Sequence, residues 1–283
     1  MKLLSFEHAG QTRFGIVQGD GVIDLVKAMG GRYPSLRALL AAQALAEVRG
    51  AIAGRSPDIA LSEIRFLPVI TDPGKIWCCG LNYVEHVRET QREVTEQPTF
   101  FMRVADSQVG HNQPMMRPAE SVQLDFEAEI AVIIGKPGRR IAEQDVGAHI
   151  AGYACYNDGS VRDWQRHTSQ WIPGKNFWRT GGFGPWMVTA DEIPFGTEMT
   201  LTAHLNGQEM QRATTSMMIH SIARQIAYVS KVAPLQAGDV IVTGTPGGVG
   251  ARRTPPIWMK AGDVIEIGID KVGVLRNTIT DDV

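Results

Sequence analysis

Short hydrophobic runs, separated by glycine, proline, asparagine and aspartate, dominate the chain from about residue 75 onward. This punctuation predicts many short strands joined by tight turns. The runs are KIWCCGLN, EIAVIIGK, IAGYACYND, GPWMVTA, MTLTAHLNG, GDVIVTGTP, GDVIEIGID and KVGVLRNTI. Apolar residues at helical spacing interrupt them at 82–96 and at about 215–232. Because strands and helices do not alternate regularly, a doubly wound parallel sheet is disfavoured, and we predict an α+β fold dominated by strands.

The first 70 residues have a different pattern. Two strand patterns, KLLSFEH and RFGIVQGDGVIDL, precede one long stretch of helical periodicity, SLRALLAAQALAEVRGAI, with Ser35 as its expected N-cap. The stretch LPVITDPGK, with two prolines and a glycine, is the expected linker. A chain of 283 residues exceeds the usual size of one domain. We therefore predict a small N-terminal α/β domain over 1–70 and a main domain over 71–283.

Three acidic residues lie in the segment LDFEAEIAVIIGK, which is otherwise typical of a buried strand. Side chains of a strand alternate between faces, so Asp125, Glu127 and Glu129 share one face while apolar residues fill the other. Same-face neighbours are roughly 6 to 7 Å apart, a spacing at which two carboxylates could converge on one cation. A solvated strand end explains the same charges, and the pattern alone leaves both interpretations open.

Asp158, in the segment YNDGSVRDWQ, could supply a third carboxylate, because it follows another strand-like run. A site made only of oxygen ligands suits Mg²⁺, Mn²⁺ or Ca²⁺, whereas zinc usually recruits histidine or cysteine. Asn-Asp-Gly is also a frequent turn sequence, so a simple turn remains an alternative at this point.

The segment GLNYVEHVRETQREV predicts a helix with Asn82 as N-cap and Glu85 three residues later, a spacing that resembles a capping box. On this helix His86 and Glu89 are three residues apart and therefore within hydrogen-bonding reach. A carboxylate that accepts from one imidazole nitrogen leaves the other nitrogen free to take a proton from water. A solvated helix with an incidental pair is the alternative. The thin valine stripe favours a weakly packed, lid-like segment.

Composition excludes some classes of function. A formal net charge of −2, a hydrophobic fraction of 43% and a charged fraction of 20% are typical of an ordinary globular protein. The chain has no basic stripe with interleaved aromatic residues, which is the pattern that predicts nucleic-acid binding. It also has no apolar run that approaches the roughly 18 residues of a membrane span. The N-terminus lacks the pattern of a secretory signal, so we expect a cytoplasmic protein.

Other chemical motifs are weak. Cys78, Cys79 and Cys155 are too few for a disulfide framework, and the first two are expected to be buried in a strand. The segment VTGTPGGVG lacks the pattern of a phosphate loop. The hydroxyls of Thr243 and Thr245 could still bind a carboxylate, or the glycines could simply allow a tight strand exit.

Several segments, in this order, resemble the fumarylacetoacetate hydrolase family. They are GLNYVEHVRE, FEAEIAVIIGK, GYACYNDGSVRDWQ, GKNF, GFGPWMVTADEIP, LNGQEMQ, LQAGDVIVTGTPGGVG and MKAGDVIEI. The resemblance extends from about residue 75 to the C-terminus, while the first 70 residues match only loosely, as a variable cap domain does in that family. It implies a mixed β-sandwich roll with a small N-terminal cap domain, and a homodimer.

The resemblance also implies roles for individual residues. The divalent cation, Mg²⁺ or Mn²⁺ with Ca²⁺ as a substitute, would be held by Glu127, Glu129 and Asp158. His86 and Glu89 match the lid dyad that activates water, and Lys175 matches the lysine that stabilises developing negative charge. The residues that match substrate-binding positions are Arg162, Gln165 and Thr245.

Family resemblance implies a small 2-oxo or 2,4-dioxo acid substrate. The first hypothesis is hydrolysis of a C–C bond in an acylpyruvate or fumarylpyruvate-like acid through a metal-stabilised enolate. The alternatives are decarboxylation of a 2-oxo acid, of the oxaloacetate or 5-oxopent-3-ene-1,2,5-tricarboxylate type, and enol–keto isomerisation. A binding protein without turnover is a third hypothesis, against which the complete dyad argues, because such a protein has no chemical need for His86.

Departures from the common family pattern bear on the substrate. Arg103 stands where lysine is frequent, Gly159 replaces a bulkier residue, and FWRTGGFGPW differs from the usual pattern at Trp178, Arg179 and Gly182. If Arg103 or Arg179 faces the site, its positive charge would favour a second carboxylate. We therefore predict an anionic acylpyruvate-type substrate with Arg103 as a binding residue.

Overall fold

The computed structural model of the protein describes residues 1–282, in which 19 strands and seven α-helices occur. The strands are β1 Lys2–His8, β2 Gln11–Gln18, β3 Gly21–Asp24, β4 Ile59–Ala60, β5 Arg65–Phe66, β6 Ile76–Gly80, β7 Thr99–Arg103, β8 Gln108–Val109, β9 Met115–Arg117, β10 Leu124–Asp125, β11 Ala128–Ile134, β12 Ile150–Asn157, β13 Ser160–Val161, β14 Gly181–Thr189, β15 Thr200–Leu205, β16 Gln208–Thr214, β17 Val240–Val242, β18 Val264–Ile269 and β19 Gly273–Asp281. The helices are α1 Leu25–Ala28, α2 Leu36–Ala41, α3 Leu45–Ile52, α4 Val84–Glu89, α5 Arg162–Gln165, α6 Ile172–Lys175 and α7 Ile222–Val232.

Most strands form one large mixed sheet in the order β4-β3-β2-β1-β14-β12-β11-β17-β6-β7, with β5 paired to β1 and β8 to β14. A second sheet has the order β16-β15-β18-β19-β9, and β10 pairs with β13. Antiparallel pairs predominate, while β6 with β17, β8 with β14 and β9 with β19 are parallel. All eight strands predicted from about residue 75 onward are present, and the strand-dominated α+β class is confirmed.

Strand β11 shows how the sequence pattern builds two cores. Ile130 and Val132 pack with Leu201 of β15 in the core between the two sheets. Ala131 and Ile133, on the opposite face, belong to a second core that includes apolar residues of α2 and α3. Burial of each large aliphatic side chain contributes about 1.5–3 kcal/mol, so a slip of one residue in register would be strongly unfavourable.

The N-terminal segment joins the large sheet, because β1 pairs with β14 and places Leu3 opposite Met187. Helices α2 and α3 lie over the sheet face that carries the second core. The linker predicted before residue 75 contains Val69 and Ile70, which are buried in that core. A domain boundary at residue 70 requires residues 1–70 to fold independently of the rest of the chain. Strand pairing does not test this, so the boundary stays a prediction.

The helix predicted after Ser35 is two helices. Gln43 adopts a φ of 56°, a left-handed conformation that ends α2 and turns the chain into α3. Ser35 is the N-cap, as predicted, with its hydroxyl accepting from the amide of Ala38 at 3.1 Å. Apolar periodicity continues across the break, so the sequence pattern did not reveal it.

The other two predicted helices are shorter than expected. The helix predicted over 82–96 is limited to α4, and the one predicted over 215–232 is limited to α7, which Ser221 caps. Within residues 1–282, no helix combines the length and apolar character needed to cross a membrane.

Candidate active site

Three carboxylates meet where β11 and β12 run side by side. The antiparallel register places Ala128 opposite Asn157, so Glu127 and Asp158 leave the two strands as neighbours. The amide of Asp158 donates to the carbonyl of Glu127 at 3.0 Å. One oxygen each of Glu127, Glu129 and Asp158 lies within 4.8 Å of the others, and all three side chains are buried. These three residues are called the carboxylate centre below.

Two buried cations neutralise part of this centre. Lys175 Nζ lies 2.7 Å from Glu127 Oε2 and 2.7 Å from Asp158 Oδ2. Arg162 Nη2 lies 2.7 Å from Glu127 Oε1. Burial opposes ionisation of Glu127, but Lys175 and Arg162 together hold the pKa of this carboxyl well below its usual range. Burial would likewise lower the pKa of Lys175, and the carboxylates of Asp158 and Glu127 raise it above its usual value.

Glu129 is the exception in the carboxylate centre, because it forms no salt bridge within residues 1–282. Its Oε2 accepts from the amide of Gly244 at 2.5 Å. Burial raises the pKa of Glu129 well above its ordinary value, and the charges of Asp158 and Glu127 raise it further, which Lys175 only partly offsets. Glu129 is therefore the one member of the carboxylate centre whose charge has no basic partner among the described residues.

The residues of the carboxylate centre fit a divalent cation. All of their donors are carboxylate oxygens, which Mg²⁺, Mn²⁺ and Ca²⁺ prefer and zinc does not. A cation among them would replace the repulsion that raises the pKa of Glu129 with coordination. Glu127, Glu129 and Asp158 would hold such an ion.

Asp125 shares the acidic face in the sequence but has other partners. Its Oδ2 accepts from Arg162 Nε at 2.8 Å and from the amide of Ala251 at 3.0 Å. Its Oδ1 accepts from the amide of Gly250 at 2.8 Å. Asp125 therefore ties the turn at 250–252 to Arg162.

His86 and Glu89 form a hydrogen bond on α4, with 2.7 Å between Nδ1 and Oε1. Because an ionised carboxylate only accepts, Nδ1 donates this bond, and in the neutral imidazole Nε2 then keeps a free lone pair. The other oxygen of Glu89 accepts from the amide of Gly248 at 2.9 Å, which fixes the carboxylate. The predicted contact is confirmed, and His86 lines the same cavity as Glu127 and Glu129.

The N-cap predicted at Asn82 is wrong. Helix α4 begins at Val84, and the residue at its N-cap, Tyr83, makes no capping hydrogen bond with its side chain. Asn82 Nδ2 donates to the carbonyls of His220 at 3.0 Å and Thr243 at 2.8 Å, and its Oδ1 accepts from the amide of His220 at 2.7 Å. A fully buried amide needs partners for all its polar atoms, so these tertiary bonds replace the local cap.

The predicted substrate-binding residues Arg162, Gln165 and Thr245 also line the cavity. Arg162 Nη1 donates to Gln165 Oε1 at 2.9 Å. Thr245 Oγ1 accepts from Gln211 Nε2 at 2.8 Å, so the hydroxyl proton of Thr245 remains available to a ligand.

Comparison with known proteins identifies the family of the chain. The family profile described as fumarylacetoacetate (FAA) hydrolase C-terminal matches residues 75–280. The chain belongs to the fumarylacetoacetate hydrolase family. The family resemblance of the segments from residue 75 onward is thereby confirmed.

Relatives in this family carry several activities. A mitochondrial oxaloacetate tautomerase of Bos taurus is 36% identical over 288 residues, covering 99% of this chain and 91% of the relative. A 2,4-didehydro-3-deoxy-L-rhamnonate hydrolase of Sphingomonas sp. (strain SKA58) is 35% identical over 283 residues, covering 99% and 96%. The crystal structure of maleylpyruvate hydrolase from Sphingobium sp. SYK-6, in complex with manganese(II) and pyruvate, is 30% identical with a TM-score of 0.82 and full coverage of both chains.

Two arginines that depart from the family pattern are absent from the cavity wall formed by the described residues. Arg103 lies behind the carboxylate centre, where Nη1 donates to Asp158 Oδ1 at 2.5 Å and to the carbonyl of Gly159 at 2.9 Å. The substrate contact predicted for Arg103 does not fit this position, and Arg103 instead compensates the charge of Asp158. Arg179 lies over the ring of Trp178 at 5.2 Å and does not reach the cavity either.

The cavity has a volume of about 320 Å³, and part of its wall was not foreseen from the sequence. The unforeseen residues include Arg92, Arg166, Thr168, Ser169, Trp171 and Arg252. They lie in connecting segments after α4, after α5 and in the turn at 250–252. Arg92 belongs to the segment GLNYVEHVRETQREV, whose pattern gave it no role, and the other five lie outside the motifs quoted above.

Within the described residues Cys78, Cys79 and Cys155 are buried and form no disulfide. The burial of Cys78 and Cys79 in β6 agrees with the prediction for these two residues. Cys79 does line the cavity. Burial raises the pKa of its thiol well above the usual value, and Glu129 raises it further. A thiolate nucleophile is therefore disfavoured at this position.

Proposed function

We propose that this protein hydrolyses a C–C bond of a 2,4-dioxo acid in the presence of Mg²⁺ or Mn²⁺. The observation that carries the proposal is that His86, which Glu89 holds by a hydrogen bond, lines the same cavity as Glu127 and Glu129 of the carboxylate centre. Each half alone has other uses. Together they supply a base for water beside a place where negative charge can be stabilised.

The metal part of the proposal rests on the donor set. Glu127, Glu129 and Asp158 would hold the ion, and the manganese in the complex of the related maleylpyruvate hydrolase supports a divalent cation. When bound, the ion would supply Lewis-acid stabilisation of negative charge on the oxygens of the oxo acid.

His86 is the proposed general base. Its Nε2 accepts a proton from water, and the water oxygen attacks the C4 carbonyl of the substrate. The C3–C4 bond then breaks, C4 leaves as a carboxylic acid, and the electron pair stays on C3 as an enolate that takes up a proton. Glu89 holds the imidazole in the required tautomer through its 2.7 Å bond. Lys175 and Arg162 add buried positive charge beside the developing anion.

Substrate orientation would come from the hydrogen-bond donors of the wall. The Thr245 hydroxyl proton is free because Gln211 already donates to its oxygen. Gln165, held by Arg162, lines the same cavity. We propose that these groups bind the carboxylate of the 2-oxo acid, as the family resemblance implies.

A second candidate is enol–keto tautomerisation of a 2-oxo acid. It is favoured by the 36% identity to oxaloacetate tautomerase over nearly the whole chain. In that reaction His86 would move a proton at C3 without water attack, so the same dyad serves both reactions. Decarboxylation of a 2-oxo acid would leave the dyad without a role.

Product analysis distinguishes these reactions. We would incubate the Mn²⁺-loaded protein with acetylpyruvate, fumarylpyruvate and oxaloacetate and follow products by proton NMR. Hydrolysis yields two acids, tautomerisation yields only a faster enol–keto exchange, and decarboxylation of oxaloacetate yields CO₂ and pyruvate, of which pyruvate is seen by proton NMR. We expect two acids from acetylpyruvate or fumarylpyruvate.

Variants on α4 test the dyad. His86→Ala should lower kcat by about 10²- to 10⁴-fold, and Glu89→Gln by less, because Glu89 acts through His86. Val84→Ala, on the exposed side of the same helix, is the matched control and should leave kcat within about twofold. If the wild type exchanges the protons at C3 without cleaving the C–C bond, and His86→Ala abolishes this exchange, the reaction is tautomerisation and not hydrolysis.

The assembly and compartment are also proposals. We expect a homodimer in the cytoplasm, from the family resemblance and from the sequence. Sedimentation equilibrium of the purified protein tests the first, and cell fractionation tests the second.

A further inference from the structure

Three arginines surround the outer part of the cavity: Arg92, Arg166 and Arg252, called the arginine rim below. They come from three separate segments, after α4, after α5 and in the turn at 250–252. All three side chains are exposed, whereas Arg162 and Lys175 at the inner end are buried. The cavity therefore has a buried inner end with carboxylates and an exposed outer end with guanidinium groups.

The inner cations are already paired and the rim is not. Lys175 and Arg162 form salt bridges with the carboxylates at the inner end. Over the described residues 1–282, no salt bridge involves any member of the rim. Arg92 only stacks over the ring of Trp171 at 5.2 Å. Among the residues that line the cavity, five are basic and two are acidic, so the unmatched charge is positive and lies at the rim.

The rim members are close enough to influence one another. Partial burial lowers the pKa of Arg252, and the neighbouring Arg166, Arg162 and Arg92 lower it further, while Glu89 opposes them. Like charges are thus held together, which is unfavourable unless an anion joins them.

The backbone keeps Arg252 in this position. Asp125 accepts from the amides of Gly250 and Ala251 at 2.8 and 3.0 Å, and it also accepts from Arg162 Nε at 2.8 Å. The turn that carries Arg252 is therefore fixed to the inner end of the cavity. Asp125 therefore has a positioning role for Arg252 in the arginine rim.

We propose that the arginine rim binds a second carboxylate at the far end of the substrate, so that the natural substrate is a dicarboxylic 2-oxo acid. The proposal rests on the proposed function for the inner end and names the substrate class. A guanidinium group pairs with a carboxylate through two parallel hydrogen bonds, whereas a hydroxyl offers no charge to balance three arginines. Thr168 and Ser169 also line the cavity, and they make a hydroxylated, uncharged end the competing possibility.

Binding of unreactive ligands tests this without requiring turnover. The probes are 2-oxoglutarate, 2-oxoadipate and 2-oxopimelate, each compared with the 2-oxo monocarboxylate of equal chain length. None has a 4-oxo group, so none can undergo the proposed cleavage. Isothermal titration to the Mn²⁺-loaded protein would give the affinity ratio for each pair.

An exposed ion pair changes affinity by up to roughly 5-fold, so three together should favour the best-fitting dicarboxylate by about 10-fold or more. This preference should fall as NaCl is added, because the rim is exposed. The triple variant Arg92→Gln, Arg166→Gln, Arg252→Gln should bind both members of the pair equally, while its affinity for the monocarboxylate stays near that of the wild type. Arg139→Gln, an equal change of charge at an exposed residue outside the cavity wall, is the control and should keep the full preference.

Equal affinities for the two members of every pair in the wild type would overturn the proposal, and so would a preference that survives in the triple variant. Failure of C–C cleavage with retained preference for dicarboxylates would overturn only the proposed reaction. Cleavage of acetylpyruvate with no preference at any chain length would overturn only the role of the rim.

Discussion

The glycine next to Asp158 makes the carboxylate centre sensitive to a single methyl group. A Cβ at Gly159 would lie 1.9 Å from the carbonyl oxygen of Thr180 and 2.9 Å from Met115 Cε, both below the 3.0 Å that real Cβ atoms keep. The methionine end can move, but the carbonyl belongs to the backbone that leads into β14. Gly159→Ala therefore requires a backbone shift of about 1 Å or more beside Asp158.

The expected loss of stability is large for one methyl group. Overpacking costs about 1–3 kcal/mol, and contact with backbone places this site at the upper end, about 3 kcal/mol. With an unfolding entropy of roughly 2.1 cal/mol/K per residue, the 283-residue chain has about 0.6 kcal/mol/K, so Tm should fall by roughly 5 °C. Because the carbonyl of Gly159 accepts from Arg103, the shift should also weaken Mn²⁺ binding.

Calorimetry with and without Mn²⁺ measures both effects. Gly50→Ala is the matched control, because Gly50 is exposed in α3 and a Cβ there meets nothing within 4 Å. Alanine should stabilise that helix by about 0.5–1 kcal/mol, which raises Tm by roughly 1–2 °C. If Gly159→Ala unfolds within a degree of the wild type and binds Mn²⁺ equally well, the close approach does not constrain the centre and this reasoning fails.

Three further predictions follow from the same structure. Mg²⁺ or Mn²⁺ at 100 times its Kd should stabilise the protein by about 2.7 kcal/mol and so raise Tm. EDTA should reverse this rise in Tm, and the variant Glu129→Gln should not show it. If neither ion raises Tm, the metal assignment is contradicted. Burial, with Arg276, lowers the pKa of His111 from 6.5 to about 4, so its neutral form stabilises the fold above pH 6.5 and this stability is lost as the pH falls toward 4. Because of this group, the free energy of unfolding measured in urea should fall by roughly 2 kcal/mol between pH 7 and pH 5. His111→Asn, whose side-chain oxygen can still accept from the amide of Arg276, should remove this pH dependence. Asn82→Ala removes three buried hydrogen bonds and should lower the free energy of unfolding by roughly 3 kcal/mol, whereas a loss below about 1 kcal/mol would show that water replaces them.

The strands could be predicted because their signal is local. Alternation in residues 124–136 assigns each side chain to a face, and the two faces of β11 do belong to two different cores. The spacing of His86 and Glu89 on a helix is equally local, and their contact follows from it. Both arguments need only the geometry of one element.

Contacts between distant segments could not be obtained in this way. Asn82 has the sequence context of an N-cap, but its partners His220 and Thr243 lie more than a hundred residues away. Arg103 was expected at the substrate because of its charge, and only the packed structure shows that Asp158 takes that charge. The arginine rim belongs to the same class, since its members come from three loops and share no motif.

The charges at the inner end of the cavity lead to a last prediction. Four carboxylates and three basic groups are buried there, which leaves one net negative charge when all are ionised; they are Asp125, Glu127, Glu129, Asp158, Arg103, Arg162 and Lys175. A divalent cation would change this charge to one positive, and one carboxylate of a ligand would return it to zero. Because an unbalanced buried charge is costly, the metal and a 2-oxo acid should each tighten the binding of the other.

Manganese titration by electron paramagnetic resonance, with and without pyruvate, measures this coupling. A coupling of about 1–3 kcal/mol corresponds to a 5- to 150-fold lower Kd for Mn²⁺ in the presence of pyruvate, and by reciprocity pyruvate should gain the same factor from Mn²⁺. Methyl pyruvate keeps the oxo group but lacks the charge, so it should produce little of this effect. If methyl pyruvate tightens Mn²⁺ as much as pyruvate does, chelation by the neutral oxygens accounts for the coupling, and the charge of the buried groups does not determine which ligands this cavity accepts.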